Sequence, residues 1–584
     1  MVKPQAQTVF EISWEVCNKV GGIYSVITSK ATYMKEAYDS YYAIGPYVGQ
    51  RDDEFIPQRP PKKWRKAIKN LEEEGINVHY GVWKSKVDVN TVLLDTSKIR
   101  NKIDHLKTDL WEHYKVDTLN SGTDVTDPIL LSYAAARLLQ ELGHEHKLAE
   151  RTVLHAHEWL TGFTTLFADQ WNIPLSTVFT THATMLGRTV SGKEGNLYET
   201  LDSINPNQKA QEHGVQDKHS AERAAAHTAN VFTTVSEVTS KECEALLGRR
   251  PDVIVVNGID VKHFPSFEDA VLRHREKKKQ INEFLSYMFY PYYTFNQDNN
   301  LNYLFAGRYE YENKGIDVFL DSLKELNEEL KGTGKTITTF LCIAMPNDGP
   351  KYDLLRQKVA YEHLNKQLRT HSERLTKGIL YDLLSEEDKT ERELMQSDEF
   401  ESFTTSLSRF KKREGTPPLC THKINEDNQV IQKLKKLGLT NKEEDPVKVL
   451  LYPAYLDGND GLLNLSYFDM ISASDLGVYP SYYEPWGYTP VETAGMAIPT
   501  VTTDLAGFGK YIKKKSDGEG IHVVPREQKT YAEIVESLKD VLKQYANKTH
   551  KERVREKLQA QKLSKKPDWE QFKDYYIEAH NMSL

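Results

Sequence analysis

The chain has 584 residues, with 76 Lys plus Arg against 84 Asp plus Glu and a formal net charge of −8. With 39% hydrophobic and 27% charged residues, it is neither collagen-like, nor a disulfide mini-protein, nor mostly disordered. Its apolar runs, such as Val253 to Val256 and Val449 to Leu451, are far short of the roughly 18 residues of a membrane span, and the acidic balance weighs against a nucleic-acid binder.

In chain order, Thr8 to Val16 predicts a strand, followed by Asn18-Lys19-Val20-Gly21-Gly22 and a helix over Ile23 to Ala37. Thr152 to His155, Leu175 to Thr181, Val231 to Val235 and Val253 to Val256 predict further strands, alternating with helical stretches. That alternation points to a mostly parallel sheet covered on both faces. The pattern then restarts at Leu301 to Ala306. Ile316, Phe319, Leu320, Leu323, Leu326 and Leu330 make one helical face over Gly315 to Leu330. Thr336 to Ala344, Val447 to Tyr452 and Asp475 to Tyr479 supply more strands. The expected plan is an N-terminal Rossmann-like domain over 1–260 and a C-terminal one over 261–540. A Lys/Arg/Glu/Leu-rich helical insertion falls at about 350–418, and a helical segment, 541–584, packs back on the N-terminal domain. Cys17, Cys243, Cys342 and Cys420 are widely spaced and read as buried free thiols. No apolar leader occurs in Met1 to Thr8, so the cytoplasm is the expected location.

Ligands of doubly wound sheets sit at the carboxyl ends of strands, so the residues there matter most. Gly21-Gly22 opens a helix and allows close approach of an anion, although it is neither Gly-x-Gly-x-x-Gly nor a P-loop. Glu158 follows one strand, beside His157, and His182 follows the next; either histidine alone is as readily a core residue. No His-x-x-x-His or Glu-x-x-His spacing suggests zinc. Arg308 and Lys314 flank a strand-to-helix loop and suit a pyrophosphate, or are plain surface charges. Ser481-Tyr482-Tyr483-Glu484-Pro485-Trp486-Gly487-Tyr488-Thr489-Pro490-Val491-Glu492 is the strongest local signal. There Thr489 and Glu492 fit a capping box, the amides of Gly487 to Thr489 fit an anion site, and Glu484 has no local task.

Together, Ser13-Trp14-Glu15-Val16-Cys17-Asn18-Lys19-Val20-Gly21-Gly22, His155-Ala156-His157-Glu158-Trp159, Thr180-Thr181-His182, Gly307-Arg308-Tyr309-Glu310 with Asn313-Lys314-Gly315, Pro417-Pro418-Leu419-Cys420-Thr421-His422 and Tyr482 to Pro490 resemble the glycogen synthases of animals and fungi. The matches run in order along nearly the whole chain. The resemblance implies an α/β GT-B fold, two Rossmann-like domains around a deep cleft. It implies retaining transfer of glucose from UDP-glucose, or another nucleotide-diphosphate glucose, to the 4-hydroxyl of a glycogen chain end, without a nucleophile, metal or cofactor. Lys19, Arg308 and Lys314 would hold the phosphates. Glu484 would face the developing positive charge, Glu492 the ribose, and His182, Glu158 and His157 the glucose. Gly21, Gly22, Tyr483, Trp486, Gly487, Tyr488 and Thr489 would complete the donor site.

One departure stands out. The family's arginine-rich helix, which binds glucose-6-phosphate, is matched by a depleted run holding Arg553, Arg555, Lys557 and Lys562, and the chain stops at Leu584. The expectation is weak or no activation by glucose-6-phosphate and no control by a phosphorylated tail. Assembly as a homo-oligomer, a tetramer through the helical insertion, is expected, with no nucleic-acid or membrane partner and the need for a primer protein left open. Two alternatives stand beside this: a GT-B enzyme using ADP- or GDP-glucose, and a non-catalytic glycan-binding scaffold.

Overall fold

The computed structural model describes residues 2–49, 53–144, 148, 151–385, 397–411, 413–425 and 427–584. Part of the predicted helical insertion, 386–396 and 412, lies outside the described residues.

The N-terminal half contains β1 (Thr8–Ile12), β2 (Ser40–Pro46), β3 (Phe55–Pro57), β4 (Asn77–Lys84), β5 (Asp88–Asp95), β6 (Thr152–His157), β7 (Ser176–Thr181), β8 (Val231–Thr234) and β9 (Val253–Ile254). They form one sheet in the order β3-β4-β5-β2-β1-β6-β7-β8-β9. Only the β3–β4 and β4–β5 pairs are antiparallel. The C-terminal half contains β10 (Asn300–Arg308), β11 (Thr336–Ala344), β12 (Val447–Tyr452), β13 (Leu476–Val478), β14 (Thr500–Thr503) and β15 (Ile521–Val524), in the all-parallel order β12-β11-β10-β13-β14-β15. Both sheets are doubly wound: chain order reverses beside β1 in one and beside β10 in the other, which makes two switch points. This is the GT-B arrangement.

Strand interiors are buried on both faces, as parallel sheets with helices on each side require. Val9, Ile12, Val153, Phe179, Leu304, Leu341 and Leu450 are all at or near zero exposure. The predicted strand Thr8 to Val16 ends early, at Ile12. Past it the chain turns, with Cys17 at φ +51. The four cysteines are free and buried.

The two halves are joined by chain segments that pair with each other. The Ile259 amide donates to the Pro567 carbonyl at 2.7 Å, and the Trp569 amide to the Ile259 carbonyl at 3.3 Å. Trp569 lies flat on Gly258, where a Cβ would come within 2.5 Å of the indole. The segment after 540 divides rather than packing as one unit. The helix Tyr531–Asn547 lies on the helix Ile316–Leu330, and the helix His550–Ser564 on the helix Tyr488–Gly495, both in the C-terminal half. Only the last helix, Trp569–Ser583, returns to the N-terminal half, against the helix Gly22–Ala37 and β7 to β9. One apolar cluster runs through this junction, from Val9 and Ile27 through Trp569 and Phe572 to Trp486 and Phe508.

Within the insertion, the helix Tyr352–Ser385 runs beside the helices Phe267–Phe289 and Ser397–Phe410. Its far end exposes Ile379, Leu380, Tyr381, Leu383 and Leu384, between 51% and 77% of each side chain. Among the described residues no helix is long and apolar enough to cross a membrane.

Candidate functional site

The ends of β1, β6 and β7 face those of β10 and β13 across a cleft of about 340 Å³. Its N-terminal wall holds Glu15, Gly21, Gly22, Glu158, His182 and Arg188; its C-terminal wall holds Arg308, Glu310, Lys314 and Tyr483 to Tyr488. Arg308, Lys314 and Glu484 also line an adjoining hollow of about 160 Å³, with Thr489 and Pro490. A larger cavity, about 770 Å³, opens between Glu199–Asp202 and Asp504–Glu527. It contains none of the sequence-marked residues, whereas the smaller cleft gathers most of them at both switch points, so the chemistry belongs to the smaller one.

On the C-terminal wall, Lys314 donates to the Glu484 carboxylate, with 14% and 24% of the two side chains exposed. The backbone holding them is closely packed. Gly315 sits at φ +68, where a Cβ would lie 2.0 Å from the Pro480 carbonyl oxygen. The amides of Gly507 and Phe508 donate to the carbonyls of Glu484 and Trp486 at 3.0 and 2.7 Å. Arg308 is 67% exposed and paired with Glu310 at 3.0 Å, so its guanidinium is free to swing onto a ligand.

The predicted capping box does not form. Gly487, at φ +103, is the N-cap of the helix Tyr488–Gly495 and places Thr489 inside the first turn. Among the described residues no side chain caps that end, which leaves first-turn amides available to an anion. Glu492 instead accepts from the Tyr467 hydroxyl at 2.7 Å, and burial pushes its carboxyl up. It lines neither hollow.

On the N-terminal wall, two expectations change. Lys19 is exposed, with its ammonium 5.8 Å from the Tyr24 ring centre, outside the cleft lining. The helix start at Gly21-Gly22 already has an anion: Glu15 Oε2 accepts from the amides of Gly21 at 2.7 Å and Tyr24 at 2.9 Å. His157 is fully buried behind His182 rather than beside the cleft. Glu158 begins its helix at φ +64, a strained conformation of the sort concentrated at functional sites. Its Oε1 accepts from the amides of His182 and Ala183 at 2.8 and 3.2 Å. Burial outweighs Arg188 and these amides and raises its carboxyl to about 6.

Tyr483 and Trp486 hold the wall rather than project freely from it. The Tyr483 hydroxyl reaches across the halves to Glu242 Oε2 at 3.1 Å, and Glu242 also accepts from Thr184 and Tyr198, each at 2.9 Å. Burial raises the Glu242 carboxyl to about 7. The Ser191 hydroxyl donates to Asn313 Oδ1 at 2.6 Å, and the Asn313 carbonyl accepts from the amides of Tyr482 and Tyr483. Trp486 packs among Phe508, Tyr511 and Phe572, and the Tyr488 hydroxyl donates to the Gly258 carbonyl at 3.1 Å. These contacts tie the two walls together.

Sequence reasoning missed Arg188, an exposed guanidinium that lines the cleft and interacts electrostatically with Tyr483, Glu158 and Glu484; its only linear signal is a lone cation early in the helix after His182. Glu11 and Lys30 were also missed. Glu11 had a signal, an acid in the middle of a strand otherwise fit for a doubly covered sheet. Glu11, His155 and His157 bring possible metal-ligand atoms within 4.8 Å of one another, a clustering across strands that linear spacing cannot show. The Lys30 ammonium sits on Glu11, in the place a cation would take. Arg553, Arg555, Lys557 and Lys562 share the helix His550–Ser564, with Arg553 and Lys557 one turn apart and interacting through their charges. Arg553 donates to the Lys548 carbonyl and Arg555 pairs with Glu519 at 3.1 Å. Lys557 is buried, its ammonium pushed down to about 8, and Lys562 is exposed.

Two facing Rossmann-like sheets with cations and carboxylates at both switch points define a nucleotide-sugar glycosyltransferase. The glycogen synthase family model matches residues 11–584. The glycogen [starch] synthase isoform 2 of Saccharomyces cerevisiae is 33% identical, over 99% of this chain and 86% of its own. That of Caenorhabditis elegans is 33% identical over 100% and 88%, and the human liver form 32% over 99% and 83%. The chain belongs to the glycogen synthase family. Among solved structures, the N-terminal domain of Candida albicans trehalose-6-phosphate phosphatase aligns over 100% of this chain and 98% of its own, with a TM-score of 0.50 and 10% identity. The catalytic domain of Arabidopsis thaliana starch synthase IV, bound to ADP and acarbose, covers 99% of each chain with a TM-score of 0.49 and 14% identity.

Proposed function

We propose that the cleft transfers glucose from UDP-glucose to the 4-hydroxyl of a glucan chain end with retention of configuration. The observation that carries this is the set Lys314, Glu484 and Arg308 facing His182, Glu158 and Arg188 across one cleft. The diphosphate lies on the Lys314 and Arg308 side, against the uncapped amides after Gly487. Glucose lies under His182 and Glu158. As the bond from C1 to the phosphate oxygen breaks, negative charge grows on the diphosphate, and cations preorganised there lower the barrier. Glu484 faces the positive charge developing at C1. The acceptor hydroxyl bonds to C1 from the same face and passes its proton to the leaving phosphate oxygen. Protein cations do the work on the diphosphate, so the reaction is expected to need no metal and no cofactor. Tyr483, Glu242 and Asn313 hold the halves closed around it.

The enzyme is further proposed to form a homo-oligomer, a tetramer through the exposed apolar end of the helix Tyr352–Ser385, and to work in the cytoplasm. The burial of Lys557 and the engagement of Arg553 and Arg555 by the Lys548 carbonyl and Glu519 support little or no response to glucose-6-phosphate. One assay tests the whole reading: turnover on glycogen with UDP-, ADP- and GDP-glucose, with and without glucose-6-phosphate. Fast turnover with UDP-glucose alone, unchanged by glucose-6-phosphate, is expected. Preference for ADP- or GDP-glucose would replace the donor, a severalfold activation would overturn the regulatory part, and no transfer from any donor would favour a glycan-binding scaffold.

A further inference from the structure

Behind His182 runs a buried chain of polar groups that the transfer chemistry does not touch. Glu11 lies in β1, the strand at the switch point, at 1% exposure. Its Oε1 takes the Lys30 ammonium and His157 Nε2, the latter at 2.6 Å, and its Oε2 takes the Tyr41 hydroxyl. His157 Nδ1 stands 2.9 Å from His182 Nε2. His182 lines the cleft, and among the described residues nothing in the protein partners its Nδ1.

The hydrogen bonds fix the protons one after another. Burial alone would raise the Glu11 carboxyl, but Lys30 and His157 outweigh it and hold the group well below the usual carboxylate range. An ionised carboxylate only accepts, so His157 Nε2 carries a hydrogen. Burial keeps His157 neutral, which leaves its Nδ1 as a lone pair. His182 Nε2 must therefore donate to it. Burial, with His157 and Lys30 nearby, drives His182 well below the ordinary imidazole value, so it too is neutral. Its remaining nitrogen, Nδ1, is a bare acceptor at the cleft. A buried carboxylate that sets a histidine tautomer through the ring's far nitrogen is a general device; here it acts through two rings. The same chain excludes a metal at Glu11, His155 and His157, because His157 Nε2 is protonated and Lys30 supplies the cation.

We propose that Glu11, anchored by Lys30, and His157 are positioning residues that lock His182 with its proton on Nε2, so that Nδ1 accepts a hydrogen bond from one hydroxyl of the bound glucosyl unit. This rests on the glucosyl reading above and extends it to how the sugar is recognised. A site built to accept from one hydroxyl penalises a donor lacking that hydroxyl, because the buried acceptor then goes unpaired.

Two experiments on the full chain test it. Neutron diffraction after exchange into D2O should show deuterium on Nε2 of both His157 and His182 and none on Nδ1 of His182; deuterium on His182 Nδ1 overturns the proposal. Second, UDP-glucose and its 2-, 3-, 4- and 6-deoxy analogues are compared as donors to glycogen. The wild type should discriminate against one analogue by roughly tenfold or more beyond the others. His157→Phe should abolish that one discrimination and leave the remaining ratios in place. His157→Gln, whose amide can donate to Glu11 and accept from His182, should restore it, and stands as a second probe if the Phe variant does not fold. Uniform slowing with every donor and unchanged ratios would leave His157 a merely structural role and overturn the proposal. Failure of the wild type with every nucleotide-glucose would instead sink the glucosyl reading, while the neutron maps still decide the tautomer lock.

Discussion

The two walls of the cleft are built on opposite principles. On the N-terminal side the polar groups behind the cleft surface are deep: Glu11, Lys30, His157 and His182 are all under a tenth exposed and joined by hydrogen bonds, and Glu242 is as deeply buried. On the C-terminal side Arg308 is 67% exposed, and among the described residues Lys314 has the Glu484 carboxylate as its salt-bridge partner at the cleft edge. A neutral sugar is recognised by hydroxyl geometry, which a rigid, desolvated wall with a fixed open acceptor supplies. A diphosphate arrives with its own charge and departs with more, so its cations must be able to reach, hold and release it. Burying those cations as deeply as Lys30 would leave them uncompensated between turnovers. The contrast therefore follows from what each wall has to bind.

The contrast can be broken from either side. The largest effect is expected from Lys30→Met, which strands the Glu11 carboxylate in the core. Stability should fall by about 3–5 kcal/mol, read as a shift in the urea midpoint, and adding Glu11→Gln should recover much of it. A loss below about 1 kcal/mol would show that Glu11 is not held as a charge. Next, Lys314→Met should cut turnover by about 10²–10³ while the unfolding midpoint barely moves, since that lysine serves the ligand and not the core. A large loss of stability there would erase the distinction between the walls.

The smallest effect sharpens the latch between them. The Glu242 carboxyl is raised by burial to about 7, above its ordinary value near 4.3. A raised acid contributes stability that is complete below the unfolded value and is lost as pH rises through the folded one. Stability should thus decline between about pH 4.5 and 8, with up to about 3 kcal/mol of the decline from this group. Glu242→Gln should flatten that slope in denaturant titrations across the window. An equally steep slope in the variant would remove Glu242 as its source.

Much of the C-terminal wall was legible in the sequence, because its residues follow one another along two loops. Arg308 to Lys314 and Tyr483 to Thr489 are local motifs, and their closeness in space follows from one switch point. Nine of the fifteen described strands were legible as short apolar runs of a doubly covered sheet, whereas β2 to β5, β14 and β15 were not read from the sequence. The N-terminal wall was harder. Its network joins Glu11, Lys30, His157 and His182, drawn from two strands, a helix and a strand end, and no spacing in one dimension encodes that. Lys19 shows the converse: close to the glycine pair in sequence, it is exposed and outside the cleft lining, and Glu15 takes the helix start instead. Glu492 looked like half of a capping box because Thr489 and Pro490 precede it, but Gly487 at positive φ starts the helix earlier and turns that carboxylate toward Tyr467.

The division of labour is tested most directly by calorimetry with UDP and with UDP-glucose on the wild type, Lys314→Met and His182→Ala. Lys314→Met should weaken both ligands by a similar factor, whereas His182→Ala should leave UDP binding unchanged and lose the added affinity for UDP-glucose. If UDP bound Lys314→Met as tightly as the wild type, or if His182→Ala weakened UDP and UDP-glucose alike, the assignment of diphosphate to one wall and glucose to the other would be wrong.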